Sequence, residues 1–206
     1  IDSEEDVEIV KKMNNSVAES LQKLGSPLPR LVAFDLDYTV WPLWVDTHVD
    51  TPIKRKGDSL NKAVDRYGTT LSLFPHVPPI LFHLRSKGVI VAAASRTSAP
   101  SAARQALEGL VLIDDSNSNS TKQTEVKTIS LFDQQEIYPG SKLAHFKNLH
   151  AKTKVKYSEM LFFDDEHRNA EVGKLGVHFQ LVGHQGTDLA TFERGVKEWR
   201  AKRKAR

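Results

Sequence analysis

Leu31-Val32-Ala33-Phe34-Asp35-Leu36-Asp37-Tyr38-Thr39 decides the fold of this chain. Four apolar residues in a row, with charge directly after them, read as a strand buried on both faces. Two carboxylates then stand two residues apart, and a threonine follows at the same spacing. A strand end gains no stability from crowded negative charge. Each carboxylate there needs a cation, a proton or a chemical task.

Downstream, apolar runs alternate with helical patterns. Residues 89–93 read as a second strand, after a helix over 77–87 that Gly88 closes. Residues 99–107 read as a helix and 128–132 as a strand. A helix is predicted over 141–152, a strongly apolar strand over 160–163 and a helix over 166–174. A last strand over 177–182 and a last helix over 188–202 complete the pattern. Continuous apolar strands separated by helices predict an α/β fold with a doubly wound parallel sheet, covered on both faces.

Three stretches fall outside this alternation. Residues 3–24 place Val10, Met13, Val17, Leu21 and Leu24 at helical spacing, with Ser3 to cap the start and Gly25, Pro27 and Pro29 to end it. That helix is expected to dock on the core as an extension over 1–29. Residues 41–74, rich in aromatics and proline at their start, read as a flap or small hairpin followed by polar loop. Residues 114–127, rich in Ser, Asn, Thr and Lys, read as a disordered surface insertion.

Composition removes several chemistries. With 206 residues the chain supports one sizeable core. Hydrophobic residues make up 39% and charged residues 27%, the balance of a globular protein. There is no cysteine, so thiolate catalysis, disulfides and zinc–thiolate sites are excluded. The net charge is +3, and much of the excess sits in Arg200, Lys202, Arg203, Lys204 and Arg206. The run over 201–206 reads as a solvated basic tail or a nuclear-import contact, and no nucleic-acid partner is expected. No apolar run approaches membrane-spanning length. A monomer in the cytoplasm, with a share in the nucleus, is the expectation.

In an open parallel sheet, ligands bind beyond the carboxyl ends of the strands. Asp35 and Asp37 follow the first strand, and Ser95, Arg96 and Thr97 follow the second. Asp164 and Asp165 follow the apolar run 160–163, and Lys142 opens a helix. Carboxylates, a hydroxyl and an ammonium at one edge fit phosphoryl transfer by a covalent route. A carboxylate can attack phosphorus only if the repulsion between two anions is neutralised, on the order of several kcal/mol at contact. A hard divalent cation such as Mg2+, helped by a lysine, does this. A second carboxylate can protonate the leaving oxygen and later take a proton from water.

The chain resembles phosphatases of the haloacid dehalogenase superfamily, whose motifs stand here in order as Asp35-Leu36-Asp37-Tyr38-Thr39, Ser95, Lys142 and Asp164-Asp165. It is most similar to the eukaryotic magnesium-dependent phosphatase family. That likeness rests on Phe34 to Pro42, Trp44 to Asp50, Ala92 to Ser98, Glu136 to Lys142 and Phe162 to Glu166. The resemblance implies a Rossmannoid domain over 30–200 that is capless or carries only a small flap at about 40–75. It implies Asp35 as nucleophile and magnesium ligand. It implies Asp37 as general acid and base, with its backbone carbonyl on the metal. Ser95 would bind phosphoryl oxygens, Lys142 would balance charge, and Asp164 and Asp165 would bind magnesium. The family's activities make phosphotyrosine and phosphorylated sugar adducts of proteins plausible substrates.

The remaining polar residues keep two readings each. Thr39 either orients Asp37 or bonds its own backbone. Arg96 either reaches substrate or is structurally paired. Asn169, four residues after Asp165, either orients a ligand or Lys142 or is a surface residue. Asp46, His48 and Asp50 alternate, so on a strand they would share one face, as a metal site or as the polar side of a flap. Trp41 and Trp44 read as packing. The alternative to an enzyme is a phosphoprotein-binding or scaffolding module with a vestigial site.

Overall fold

The computed structural model describes residues 3–115 and 123–205. Helix α1 (Glu4–Leu24) starts at a capping box, in which Ser3 and Asp6 bond each other's backbone. Strand β1 (Leu31–Phe34) follows, then three two-residue strands, β2 (Lys54–Arg55), β3 (Ala63–Val64) and β4 (Thr70–Leu71). Next come α2 (Val77–Ser86), β5 (Ile90–Ser95), α3 (Pro100–Gly109) and a hairpin of β6 (Val111–Asp114) with β7 (Thr124–Lys127). The chain ends with β8 (Gln134–Ile137), α4 (Lys142–Thr153), β9 (Met160–Asp164), β10 (His178–Leu181) and α5 (Leu189–Lys204).

Five strands form one parallel sheet in the order β10-β9-β1-β5-β8. The chain leaves β1 toward β5 and returns to β9 on its other side. The carboxyl end of β1 is therefore where the order reverses. Side-chain alternation explains the unbroken apolar strands. Val32 and Phe34 of β1 enter the larger core cluster with α2, α3 and α5, while Leu31 and Ala33 enter the smaller one with α4. Leu161 and Phe163 of β9 divide from Met160 and Phe162 in the same way. Phe163 stacks on both Phe34 and Phe192, at 5.4 and 5.7 Å. Gly195 lets α5 approach this stack, since a Cβ there would lie 2.9 Å from the Phe163 ring.

Several expectations change. Residues 128–132 are not a strand: Thr128–Leu131 is a 3-10 turn, anchored where Thr128 donates its N–H and hydroxyl to the Leu110 carbonyl. The fifth strand is β8, an edge strand whose Gln134 and Gln135 remain half-buried, so no apolar run marks it. The 114–127 insertion is closed at its base by the pairing of β6 with β7, and Glu125 of β7 pairs with Arg55 of β2; its middle lies outside the described residues. The segment after β9 is 3-10 over His167–Leu175 rather than α-helical. The flap holds a three-stranded antiparallel sheet, β2-β3-β4.

The ends of the chain meet. Val17 and Leu21 of α1 are buried, and Arg200 of α5 donates to the carbonyls of Leu24, Pro27 and Gly25. The guanidinium thus caps one free carbonyl of the last turn of α1, that of Leu24, and holds the two carbonyls of the exit that follows. The basic run is also not a frayed tail through Lys204, because α5 continues to that residue and Arg203 lies over the Trp199 ring. Among the described residues no helix is long and apolar enough to cross a membrane.

Candidate active site

β1 places Asp35 beside the end of β9: the Asp35 N–H donates to the Phe163 carbonyl. The chain then turns sharply, with Tyr38 at φ +55° and the N–H groups of Thr39 and Val40 bonded back to Leu36. A left-handed tyrosine is an uncommon conformation that the surrounding contacts must hold. The turn brings Trp41 back over Asp37. The indole N–H donates to Asp37 Oδ1 at 2.8 Å, and the Val45 N–H donates to the same oxygen at 3.2 Å.

Lys142 is buried at the start of α4, after the Ser141 cap. Its ammonium lies 2.8 Å from Asp35 Oδ1 and 3.2 Å from Asp164 Oδ2, and it also donates to the Ala94 carbonyl. Asp164 is fully buried; its Oδ1 accepts the Glu166 N–H at 2.8 Å, and its Oδ2 accepts the Asn169 amide at 2.8 Å. Ser95 stands at the end of β5, with its hydroxyl accepting the Thr97 N–H at 3.2 Å. Arg96 donates to the Asn169 carbonyl oxygen at 3.3 Å, and Asn169 thereby joins it to Asp164.

Asp35, Asp37, Ser95, Arg96, Lys142 and Asp165 line a cleft of about 290 Å³ that also exposes Trp44, with Asp164 buried behind it. A larger hollow of about 470 Å³ lies between Lys54, Gln105 and Val126, but its Arg55 and Glu125 are paired with each other. The chemistry therefore belongs to the smaller cleft.

Oxygens of Asp35, Asp164 and Asp165 all lie within 4.8 Å of one another. Burial pushes the Asp164 carboxyl up, Asp35 adds to the rise, and Lys142 opposes it. Burial and then the Asp35 charge push Asp165 up to about 6. One ammonium is thus too little for three carboxylates, whose mutual repulsion at such separations is on the order of a few kcal/mol per pair. An oxygen-only donor set with unbalanced negative charge fits a hard divalent cation such as magnesium. The Asp37 carboxylate is not part of that cluster. Burial raises it to about 7, against the bond from Trp41, with the Asp35 charge adding to the rise and the Val45 bond opposing it, so near neutrality it is about half protonated and can both give and take a proton.

The acid phosphatase family model matches residues 27–202. The chain belongs to the acid phosphatase family. Within it, the chain is 45% identical over 174 residues to human "Magnesium-dependent phosphatase 1", covering 82% of this chain and 86% of that protein. It is 44% identical over 151 residues to a HAD-like hydrolase superfamily protein of Schizosaccharomyces pombe, covering 73% of this chain and 84% of the relative. The crystal structure of a HAD-superfamily hydrolase from Ehrlichia chaffeensis superposes with a TM-score of 0.53 at 11% identity. That match covers 85% of this chain and 99% of the other, and it shows the shared fold. The identity to the Schizosaccharomyces pombe relative places this acid phosphatase family member in the haloacid dehalogenase superfamily.

The tertiary structure separates the other candidates of this family member. Thr39 neither orients Asp37 nor caps its own turn: its buried hydroxyl has no partner among the described residues, while its carbonyl accepts from Thr187. Asn169 is buried and donates to Asp164, so it orients an expected metal ligand and is not a surface residue; it does so from a 3-10 segment, not an α-helix. Asp46, His48 and Asp50 lie on a turn, a bend and irregular chain, not on a strand, and their partners differ. Asp46 accepts the Ser98 hydroxyl, His48 accepts the Trp44 N–H and stacks on its ring, and the Asp50 N–H donates to Asp65. Trp41 packs as expected and also bonds Asp37, a role that reading it as packing missed. Its position four residues after Asp37 is the signal that was available.

Proposed function

We propose that this chain is a magnesium-dependent phosphomonoester hydrolase that acts through a phosphoaspartate on Asp35. The observation that carries the reading is the Lys142 ammonium set between Asp35 and Asp164, with the Asp37 carboxyl fixed apart from them by Trp41 and Val45. Asp35, Asp164, Asp165 and the Asp37 backbone carbonyl would hold the metal. Bound magnesium would supply positive charge against the phosphoryl oxygens and the attacking carboxylate.

The residues divide the reaction as follows. A carboxylate oxygen of Asp35 attacks phosphorus, and the bond from phosphorus to the ester oxygen breaks. Asp37 gives its proton to that leaving oxygen, so an alcohol departs. Asp37, now a carboxylate, takes a proton from water as the water oxygen attacks phosphorus. The bond to Asp35 breaks and inorganic phosphate leaves. Lys142 holds Asp35 in place and offsets its charge. The Ser95 hydroxyl and the Arg96 guanidinium donate to phosphate and neighbouring substrate oxygens.

The cleft lies open beside a small flap, which suits phosphotyrosine or phosphorylated sugar adducts on proteins as well as small phosphomonoesters. Rapid-quench mass spectrometry tests the reading. A peptide containing Asp35 should gain one phosphoryl group during turnover of p-nitrophenyl phosphate, and Asp35→Asn should abolish both the adduct and turnover. Undiminished turnover by Asp35→Asn would overturn it.

A further inference from the structure

His145 is fully buried in α4, one turn beyond Lys142. Its Nε2 lies 3.1 Å from the Ser95 carbonyl oxygen and 3.0 Å from that of Tyr138, and its Nδ1 lies 2.8 Å from the Ser141 carbonyl oxygen. The Tyr138 ring stacks on the imidazole, with centroids 4.4 Å apart and planes 12° apart. Tyr138 is held in turn: its hydroxyl donates to buried Glu136 and accepts from Asn148. Glu136 also pairs with Lys152.

One ring therefore touches the main chain at the end of β5, in the loop after β8, and at the cap of α4. Those segments carry Ser95 and Lys142. A single backbone bond, from the Tyr138 N–H to the Ser95 carbonyl, already ties two of them. The imidazole adds a second tie at the same point. Carbonyl oxygens only accept, so a proton on Nε2 makes the bonds to Ser95 and Tyr138, a proton on Nδ1 makes the bond to Ser141, and a neutral ring carries one of the two. Burial, with help from the Lys142 charge, holds the imidazole below its ordinary pKa, and in the neutral ring a proton on Nε2 serves two carbonyls where one on Nδ1 serves a single carbonyl.

We propose that His145 is a positioning residue whose Nε2–H, shared between the Ser95 and Tyr138 carbonyls, fixes the Ser95 hydroxyl relative to the Lys142 ammonium. The proposal rests on the assignment of Ser95 and Lys142 as phosphate-binding and charge-balancing groups. His145 acts through them and does not touch substrate. An error of about 1 Å in such placement can cost on the order of a hundredfold in rate.

The test uses the full chain with magnesium and p-nitrophenyl phosphate. A glutamine amide reproduces a donor at Nε2, and an asparagine amide reproduces one at Nδ1. His145→Leu and His145→Asn should lose roughly ten- to a hundredfold in kcat with KM within about twofold. His145→Gln should recover most of that loss. Wild-type kcat in His145→Leu, or equal impairment of folded Gln and Leu variants, overturns the proposal. Imidazole nitrogen–proton correlation spectra of the wild type decide the matter if the variants do not fold. A protonated Nε2 on His145 at neutral pH is expected, and a bare Nε2 overturns it. If the wild type itself shows no magnesium-dependent turnover, the assignment of Ser95 and Lys142 falls too. Wild-type turnover beside an unimpaired leucine variant sinks the role of His145 alone.

Discussion

Trp41 donates its indole N–H to the Asp37 carboxyl at 2.8 Å from a ring that is itself fully buried. Core packing and acid–base chemistry thus share one side chain. Trp41→Phe keeps an aromatic ring in the core and removes the donor. In the step where it acts as acid Asp37 is a neutral carboxyl, and a hydrogen bond between neutral groups is worth about 0.5–1.5 kcal/mol, so kcat on p-nitrophenyl phosphate should fall roughly two- to tenfold. Magnesium affinity should hold, because Asp37 contributes no carboxylate to the metal cluster. An unchanged kcat would show that the Val45 N–H suffices to place Asp37.

Among the described residues Lys142 is the one ammonium inside a group of three carboxylates. Lys142→Met preserves the stem and deletes the charge. Removing one partner of a buried pair costs about 3–5 kcal/mol. Urea unfolding in EDTA should show a loss of that order. Added magnesium should restore part of the stability but not the turnover. A loss below about 1 kcal/mol would mean that the carboxylates tolerate one another without the lysine.

Magnesium should stabilise the fold as well as enable catalysis. A ligand at a hundredfold excess over its Kd adds about 2.7 kcal/mol, which for a domain of this size raises Tm by roughly 5–10 °C. Asp164→Asn should lose most of that increment. Melting curves with magnesium and with EDTA that coincide would contradict a site at Asp35, Asp164 and Asp165.

His83 gives a pH test remote from the cleft. It is buried in α2, its Nε2 has no partner among the described residues, and burial followed by the Lys87 charge lowers its pKa below 6.5. The unfolded chain therefore takes up this proton first as pH falls. The contribution of His83 is complete above 6.5 and is lost as pH drops toward its folded value. His83→Leu removes that loss. The stability difference between variant and wild type should grow in favour of the variant below pH 6.5, by at most about 1.4 kcal/mol per pH unit. A difference that stays flat from pH 7 to 5 would show that the buried ring protonates as easily as a free one.

Arg200 links the two ends of the chain through the carbonyls of Leu24, Gly25 and Pro27. Arg200→Met should speed hydrogen exchange in the last turn of α1 and cost about 1–2 kcal/mol. Turnover should be unchanged, since α1 lies away from the cleft. A parallel loss of kcat would tie α1 to the catalytic fold.

What could be read in advance follows burial. β1 and β9 are covered on both faces, so each of their residues had to be apolar, and the runs are plain. β8 lies at the sheet edge with two glutamines half-buried, and no run marks it. Its register instead starts at Asp133, whose backbone N–H donates to the Val91 carbonyl and whose side chain accepts the Val91 N–H. Such a pairing joins residues far apart in sequence and leaves no local pattern. The segment after β9 has a helical periodicity but winds as 3-10, and which carboxylate Asn169 meets, Asp164, follows from that path.

The sequence alone determined which residue types stand at the strand ends, because a buried parallel strand must be apolar until it reaches the site and can be charged only beyond it. Asp35, Asp37, Ser95, Lys142, Asp164 and Asp165 were visible for that reason. Only the tertiary structure decided how they differ. Lys142 reaches Asp35 across 107 positions of sequence, and Asp37 is drawn aside by Trp41 because Tyr38 turns the chain. Charge placement depends on distances across the fold and on which groups lose water, and neither is encoded in local spacing.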